Sequence, residues 1–215
     1  MRGRIFAVQL LALAFAAHAA AGTLSVSVVD GNGHAMRDGV VSLIPNEESR
    51  MPAATTLLPV AKIIDQRNEM FVPLVTIVPV GGAVVFSNSD RTMHHVYSFA
   101  TIRQFEFVLN SGEKSAAVRF DHAGIAAVGC NIHDQMITYV YVTQSPWTAL
   151  TGADGIAHFD LPVGAYRTSL WHPDLAPGRE VPATSVVIGN AATAVTLTLP
   201  RLPARAHASA HPGSY

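Results

Sequence analysis

From Thr23 onward the chain is written in short runs rich in Val, Ile, Thr and Phe, each closed by Gly, Pro, Asn, Asp or Ser. Runs of that makeup read as strands, and the residues closing them are those that supply turns or end a ladder. Between residues 61 and 142 they follow one another closely: Ala61 to Asp65, Phe71 to Val78, Ala83 to Ser87, Val96 to Phe99, Phe105 to Leu109, Ala116 to Phe120, Ile125 to Gly129 and Ile137 to Val142. Each strand turns alternate side chains to opposite faces, so its apolar face needs a second layer to cover it. The spacing therefore predicts an all-β protein built as a β-sandwich.

One gap between runs concentrates the chemistry. The chain has a single cysteine, Cys130, in the run Gly129, Cys130, Asn131, Ile132, His133, Asp134, Gln135, Met136. A thiolate with neutral imidazoles makes a trigonal set that suits Cu(I) and Cu(II) alike, and a more distant thioether biases the pair toward the reduced ion. Zinc prefers thiolate, imidazole or carboxylate and rarely recruits methionine. Taken one at a time, a buried cysteine is usually a small hydrophobe and a strand histidine an ordinary hydrogen-bonded residue. The joint spacing C-x2-H-x2-M carries the reading: Cys130, His133 and Met136 are three ligands of a copper ion, and a second imidazole comes from elsewhere.

The upstream segment Val84, Val85, Phe86, Ser87, Asn88, Ser89, Asp90, Arg91, Thr92, Met93, His94, His95, Val96 is a strand that ends in a polar turn and restarts. Here the sequence resembles the cupredoxin family, the blue copper proteins that include plastocyanin and amicyanin. Gly82, Val84, Phe86, Asn88 and Asp90 match a G-x-V-x-F-x-N-x-D strand, Phe71 and Pro73 an F-x-P entry, and His94 to Val96 the histidine, polar residue and valine of the first ligand. The loop spacing is that of the amicyanin type, and the resemblance covers roughly residues 61 to 143. It implies a Greek-key sandwich holding one type 1 copper ion through His94, Cys130, His133 and Met136 and passing single electrons. Adjacent strand residues face opposite sides, so only one of His94 and His95 can face the metal. The family register assigns it to His94, leaving His95 to tie the two ligand loops together or to sit solvated on the rim. Two residues depart from the family. Ile132 stands where many relatives have proline, so its N–H is free to reach the cysteine sulfur. Asp134 stands where amicyanin has proline beside its exposed histidine, which makes the expected docking surface more polar.

The flanks carry other motifs. Thr23 to Val29 and Gly39 to Ile44 read as strands around an Asp30 to Gly33 turn, and Ile156 to Leu161, Tyr166 to Trp171, Thr184 to Ile188 and Ala194 to Leu199 as four more. With D-x-x-G and P-x-G-x-Y signals, they resemble the small transthyretin-like or carboxypeptidase-regulatory-like sandwich. The resemblance implies a second, discontinuous β-sandwich formed by 22–48 and 149–200, with a cupredoxin domain at 59–145 inserted into it. Strands 23–29 and 166–171 are then expected to share a sheet. The alternative is that residues 23 to 45 supply the first strands of the copper sandwich. Exported proteins pairing these two modules resemble those labelled methylamine utilisation proteins. The tail 201–215 mixes Ala, Pro, His and Ser without periodicity and is expected to be disordered.

Arginines within Met1 to Arg4, the apolar stretch Ile5 to Ala17 and the small residues up to Ala21 read as a secretory signal over residues 1–21. The apolar stretch is too short to span a bilayer, so a periplasmic protein with no membrane span is expected. In an oxidising compartment a lone thiol has to be buried or held by a metal. Charged residues are only 13% and the net charge is −1, so no basic face argues for nucleic acid. The leading functional expectation is a copper electron carrier serving a periplasmic redox protein such as a cytochrome or a dehydrogenase. The second is a copper-binding or delivery protein, for which His207 and His211 are slight support. Catalysis ranks last: it needs an open coordination position and a nearby acid or base, and Met136 fills the axial place.

Overall fold

The computed structural model describes residues 21–47, 61–175 and 181–200. The expected signal, most of the linker after Pro45, and the tail with His207 and His211 lie outside the described residues. In chain order the strands are β1 (Ala21–Val29), β2 (Val40–Pro45), β3 (Ala61–Gln66), β4 (Phe71–Val72), β5 (Val75–Pro79), β6 (Ala83–Asn88), β7 (His94–Ala100) and β8 (Arg103–Leu109). They continue as β9 (Val118–Arg119), β10 (Gly124–Cys130), β11 (Ile137–Thr143), β12 (Thr148–Leu150), β13 (Ile156–Pro162), β14 (Gly164–Trp171), β15 (Ser185–Ile188) and β16 (Thr193–Thr198). No helix occurs among the described residues, and the all-β expectation is borne out.

The strands form four sheets. Those in the orders β5-β11-β10-β7-β8 and β4-β3-β6-β9 enclose a core of Ile64, Phe71, Val84, Phe86, Val96, Phe120, Val128 and Val140. Those in the orders β13-β1-β16 and β12-β2-β14-β15 enclose a second core that includes Leu24, Val26, Leu43, Phe159, Leu161, Tyr166 and Ile188. Alternation does this work: Leu24, Val26 and Val28 are buried while Thr23 is exposed, as a strand with one covered face requires.

Several strand expectations are corrected. Residues 23–29 and 166–171 do not share a sheet: β1 lies between β13 and β16, whereas β14 lies between β2 and β15. The two meet across the second core, because both send alternate residues inward and the pattern says nothing about which strand pairs with which. Neither β1 nor β2 pairs with a strand of residues 61–143. The run Phe71 to Val78 is broken into β4 and β5, which belong to different sheets. Pro73 has no N–H for a ladder, and the chain crosses between layers there. Ala116 to Phe120 shortens to β9, and β12 was not foreseen.

The turn motifs have physical causes. Asp30 Oδ1 accepts the amides of Asn32 at 2.8 Å and His34 at 2.9 Å, and these bonds, the His34 amide foremost, hold its carboxyl below the usual range. Gly155 has φ 74°, and a β-carbon there would lie 2.8 Å from the Val28 carbonyl oxygen, so only glycine fits. In the P-x-G-x-Y stretch the fully buried Tyr166 donates its hydroxyl to the Pro162 carbonyl at 2.8 Å, which satisfies the one polar atom of a large apolar side chain. The two sets of sheets touch where Trp171 packs edge-on against Tyr139, ring centres 5.2 Å apart. Nearby, the Thr143 and Thr148 hydroxyls lie 2.9 Å apart.

Candidate metal centre

The start of β7, the end of β10 and the start of β11 meet at one end of the five-stranded sheet. Cys130, the last residue of β10, pairs with Val96, so the inward-facing His94, two residues before Val96, stands beside it. The chain between β10 and β11 folds back on itself: the Met136 amide donates to the His133 carbonyl at 3.0 Å, and the Cys130 amide donates to the Met136 carbonyl at 3.3 Å. The Asn131 amide donates to the His95 carbonyl at 2.9 Å, tying this loop to β7 through the backbone.

His94, Cys130 and His133 are thereby brought together. Cys130 Sγ is 3.6 Å from His94 Nδ1 and 4.0 Å from His133 Nδ1, and one donor atom from each of the three lies within 4.8 Å of the others. His94 is 0% exposed and Cys130 4%, while the His133 side chain is 23% exposed. Met136 is buried in the same core as Cys130. His95 is not part of the group: its Nε2 lies 2.7 Å from Glu106 Oε1 on β8.

Both imidazoles turn their far nitrogens to carboxylates. His94 Nε2 is 2.8 Å from Asp90 Oδ2, and His133 Nε2 is 3.7 Å from Glu69 Oε1. At 2.8 Å the Asp90 carboxylate is within hydrogen-bond range of His94 Nε2, and a proton on that nitrogen leaves Nδ1 free toward the sulfur. Glu69, at 3.7 Å, is only an ion-pair neighbour of His133. Asp90 also accepts the amides of Asn68 and Glu69. Burial pushes its carboxyl up, but the Glu69 amide, the His94 ring and the Asn68 amide together outweigh that and hold it below the usual range. Asn88 secures the turn: its Nδ2 donates to the carbonyls of Thr92 at 2.8 Å and Leu109 at 3.0 Å, and its Oδ1 accepts the Asp90 amide at 2.9 Å. The N-x-D stretch is thus the brace behind His94.

The donor set fits a first-row ion. With bonds of about 2.3 Å to sulfur and about 2.0 Å to nitrogen at roughly 120°, sulfur and nitrogen sit about 3.7 Å apart, between the two distances observed here. One cysteine sulfur and two imidazole nitrogens, with Met136 buried in the same core, make the donor types of soft, copper-selecting sites.

Sequence reasoning missed some features of this end. The expected contact from the Ile132 N–H to the sulfur is corrected: the contacts of Sγ among the described residues are with the two imidazoles, and the loop swings outward at Ile132, which is 44% exposed. Asp90 was visible as a motif residue, but its bond to His94 was not read from it. Glu69 lies far from His133 in the chain, and no spacing links them. Gln66, at the end of β3, is fully buried with its Oε1 unpartnered among the described residues; a glutamine at an inward position of an apolar strand was the available signal.

No family model and no curated protein matches the chain. Among solved structures, a purple cupredoxin from Nitrosopumilus maritimus is 22% identical with a TM-score of 0.35, covering 38% of this chain and 99% of that one. Amicyanin from Paracoccus versutus is 19% identical with a TM-score of 0.36, covering 47% of this chain and 98% of that one. A copper-containing nitrite reductase from Thermus scotoductus is 22% identical with a TM-score of 0.37; the match covers 46% of this chain and 27% of the reductase.

Proposed function

We propose that this protein is a periplasmic type 1 copper protein of the cupredoxin kind that carries single electrons between redox partners and is not an enzyme. The observation that carries the reading is the buried Cys130 sulfur, flanked at 3.6 and 4.0 Å by the Nδ1 atoms of His94 and His133, the His94 ring being held from behind by Asp90 at 2.8 Å. Bound there, copper supplies a one-electron couple between Cu(I) and Cu(II). His94, Cys130 and His133 would hold it, with Met136, buried in the same core, as the fourth donor. Cys130 would hold the ion as thiolate, so uptake would release a proton. Asn88 and Asp90 hold His94 in place, which would lower the reorganisation that opposes transfer. The partly exposed edge of His133 is the exit to a partner such as a cytochrome or a dehydrogenase.

In this reading residues 59–145 are the cupredoxin domain. Residues 22–48 and 149–200 form a regulatory-like sandwich, which with the cupredoxin domain resembles exported proteins labelled for methylamine utilisation, and residues 1–21 direct export. An absorption spectrum of the copper-loaded chain is the test. An intense thiolate-to-Cu(II) band toward the red, absent in Cys130→Ser, is expected; colourless, readily exchanged copper would instead favour a delivery role.

A further inference from the structure

Glu69 is fixed at the outer edge of His133 by the turn between β3 and β4. Asn68 and Glu69 both have left-handed backbones, φ 55° and 56°, and both donate their amides to Asp90, the residue that also holds His94. Such a conformation is costly for residues other than glycine, and the paired bonds to one carboxylate offset that cost. The turn presents Glu69 Oε1 3.7 Å from His133 Nε2 with the carboxylate side chain 61% exposed. Asp134, the next residue after His133, is exposed as well. Met93 and Ile132, on the two histidine-bearing loops, add exposed apolar surface. Arg67 and Arg91 belong to the same turns and are exposed, but the charge in contact with the ring is the carboxylate.

A partner that receives an electron from His133 has to cover this edge and strip water from Glu69. Desolvating a carboxylate without supplying a cation is unfavourable, whereas a matching cation steers the encounter and fixes its orientation. Resting on the electron-carrier reading above, we propose that Glu69, assisted by Asp134, makes the His133 edge a docking face for a redox protein whose exposed cofactor rim carries lysine or arginine side chains.

The test uses the copper-loaded full chain, reduced and then mixed at low ionic strength with a cationic oxidant, tris(phenanthroline)cobalt(III), or an anionic one, ferricyanide, following the return of the thiolate band. Glu69→Gln is expected to slow the cationic oxidant about three- to tenfold and to speed the anionic one by a similar factor; both differences collapse at about 1 M salt, where screening acts within about 3 Å. Asp160→Asn, on β13 in the other set of sheets, is expected to leave both rates unchanged. An unchanged ratio of the two rates in Glu69→Gln overturns the docking proposal alone. If neither oxidant restores a band in the wild-type protein, the electron-carrier reading fails and the docking face falls with it.

Discussion

Around Leu24 and Tyr166, buried polar groups use their hydrogen bonds to hold the chain: Ser145 Oγ donates to the Leu43 carbonyl, Thr151 Oγ1 to that of Met36 and Tyr166 Oη to that of Pro162. Around Phe86, Gln66, Asn88, His94 and Cys130 are buried at strand ends, and some of these residues keep atoms to spare. Cys130 Sγ faces the Nδ1 atoms of two imidazoles, and Gln66 Oε1 has no partner among the described residues. Buried donors and acceptors that the backbone has not used up are the groups a ligand can engage.

The largest expected effect that would break this contrast is at Cys130. Cys130→Ser should abolish the red thiolate band outright while the apo-protein keeps its circular dichroism; a variant that retains the band removes the sulfur from the site. Next is Leu43→Ala in the second core, expected to cost about 2–5 kcal/mol in denaturant unfolding through lost burial and a residual cavity. The band of the folded, copper-loaded variant should not move, and a shifted band would mean that the two cores do not act separately. Asn88→Ala should cost about 1–3 kcal/mol by leaving buried carbonyls unpaired and should also speed loss of copper to a chelator, since the turn before His94 loosens. Stability loss with unchanged copper release would reduce Asn88 to a purely structural role.

The smallest effect concerns pH at Asp30. Its folded pKa lies below the unfolded 3.8, so its contribution is present above the unfolded value and lost as pH falls through the folded one. The stability gap between wild type and Asp30→Ala in unfolding titrations should therefore be constant near neutrality and close below about pH 4. A gap that widens on acidification would contradict the assignment.

Much of this was legible in the residues because period and spacing are local. Strand alternation announced an all-β chain, C-x2-H-x2-M marked the loop whose cysteine and histidine meet, and parity allowed only one of His94 and His95 to face inward, the family register choosing His94. What escaped depends on which segments meet in space. The pattern of β1 is satisfied by any neighbour that covers its inner face, so its pairing with β13 and β16 could not be read. The link that ties the ligand loop to β7 is the His95 carbonyl, an atom every residue has, so no side chain advertised it. Glu69 reaches His133 only because a turn with two left-handed residues is anchored to Asp90.

That anchoring has a consequence for how the protein can change. One carboxylate grips the inner imidazole on one side and the hairpin bearing the outer ring's companion on the other. Any substitution at position 90 is therefore felt at both histidines at once, and rigidity within and selectivity without become a single inherited trait at that position.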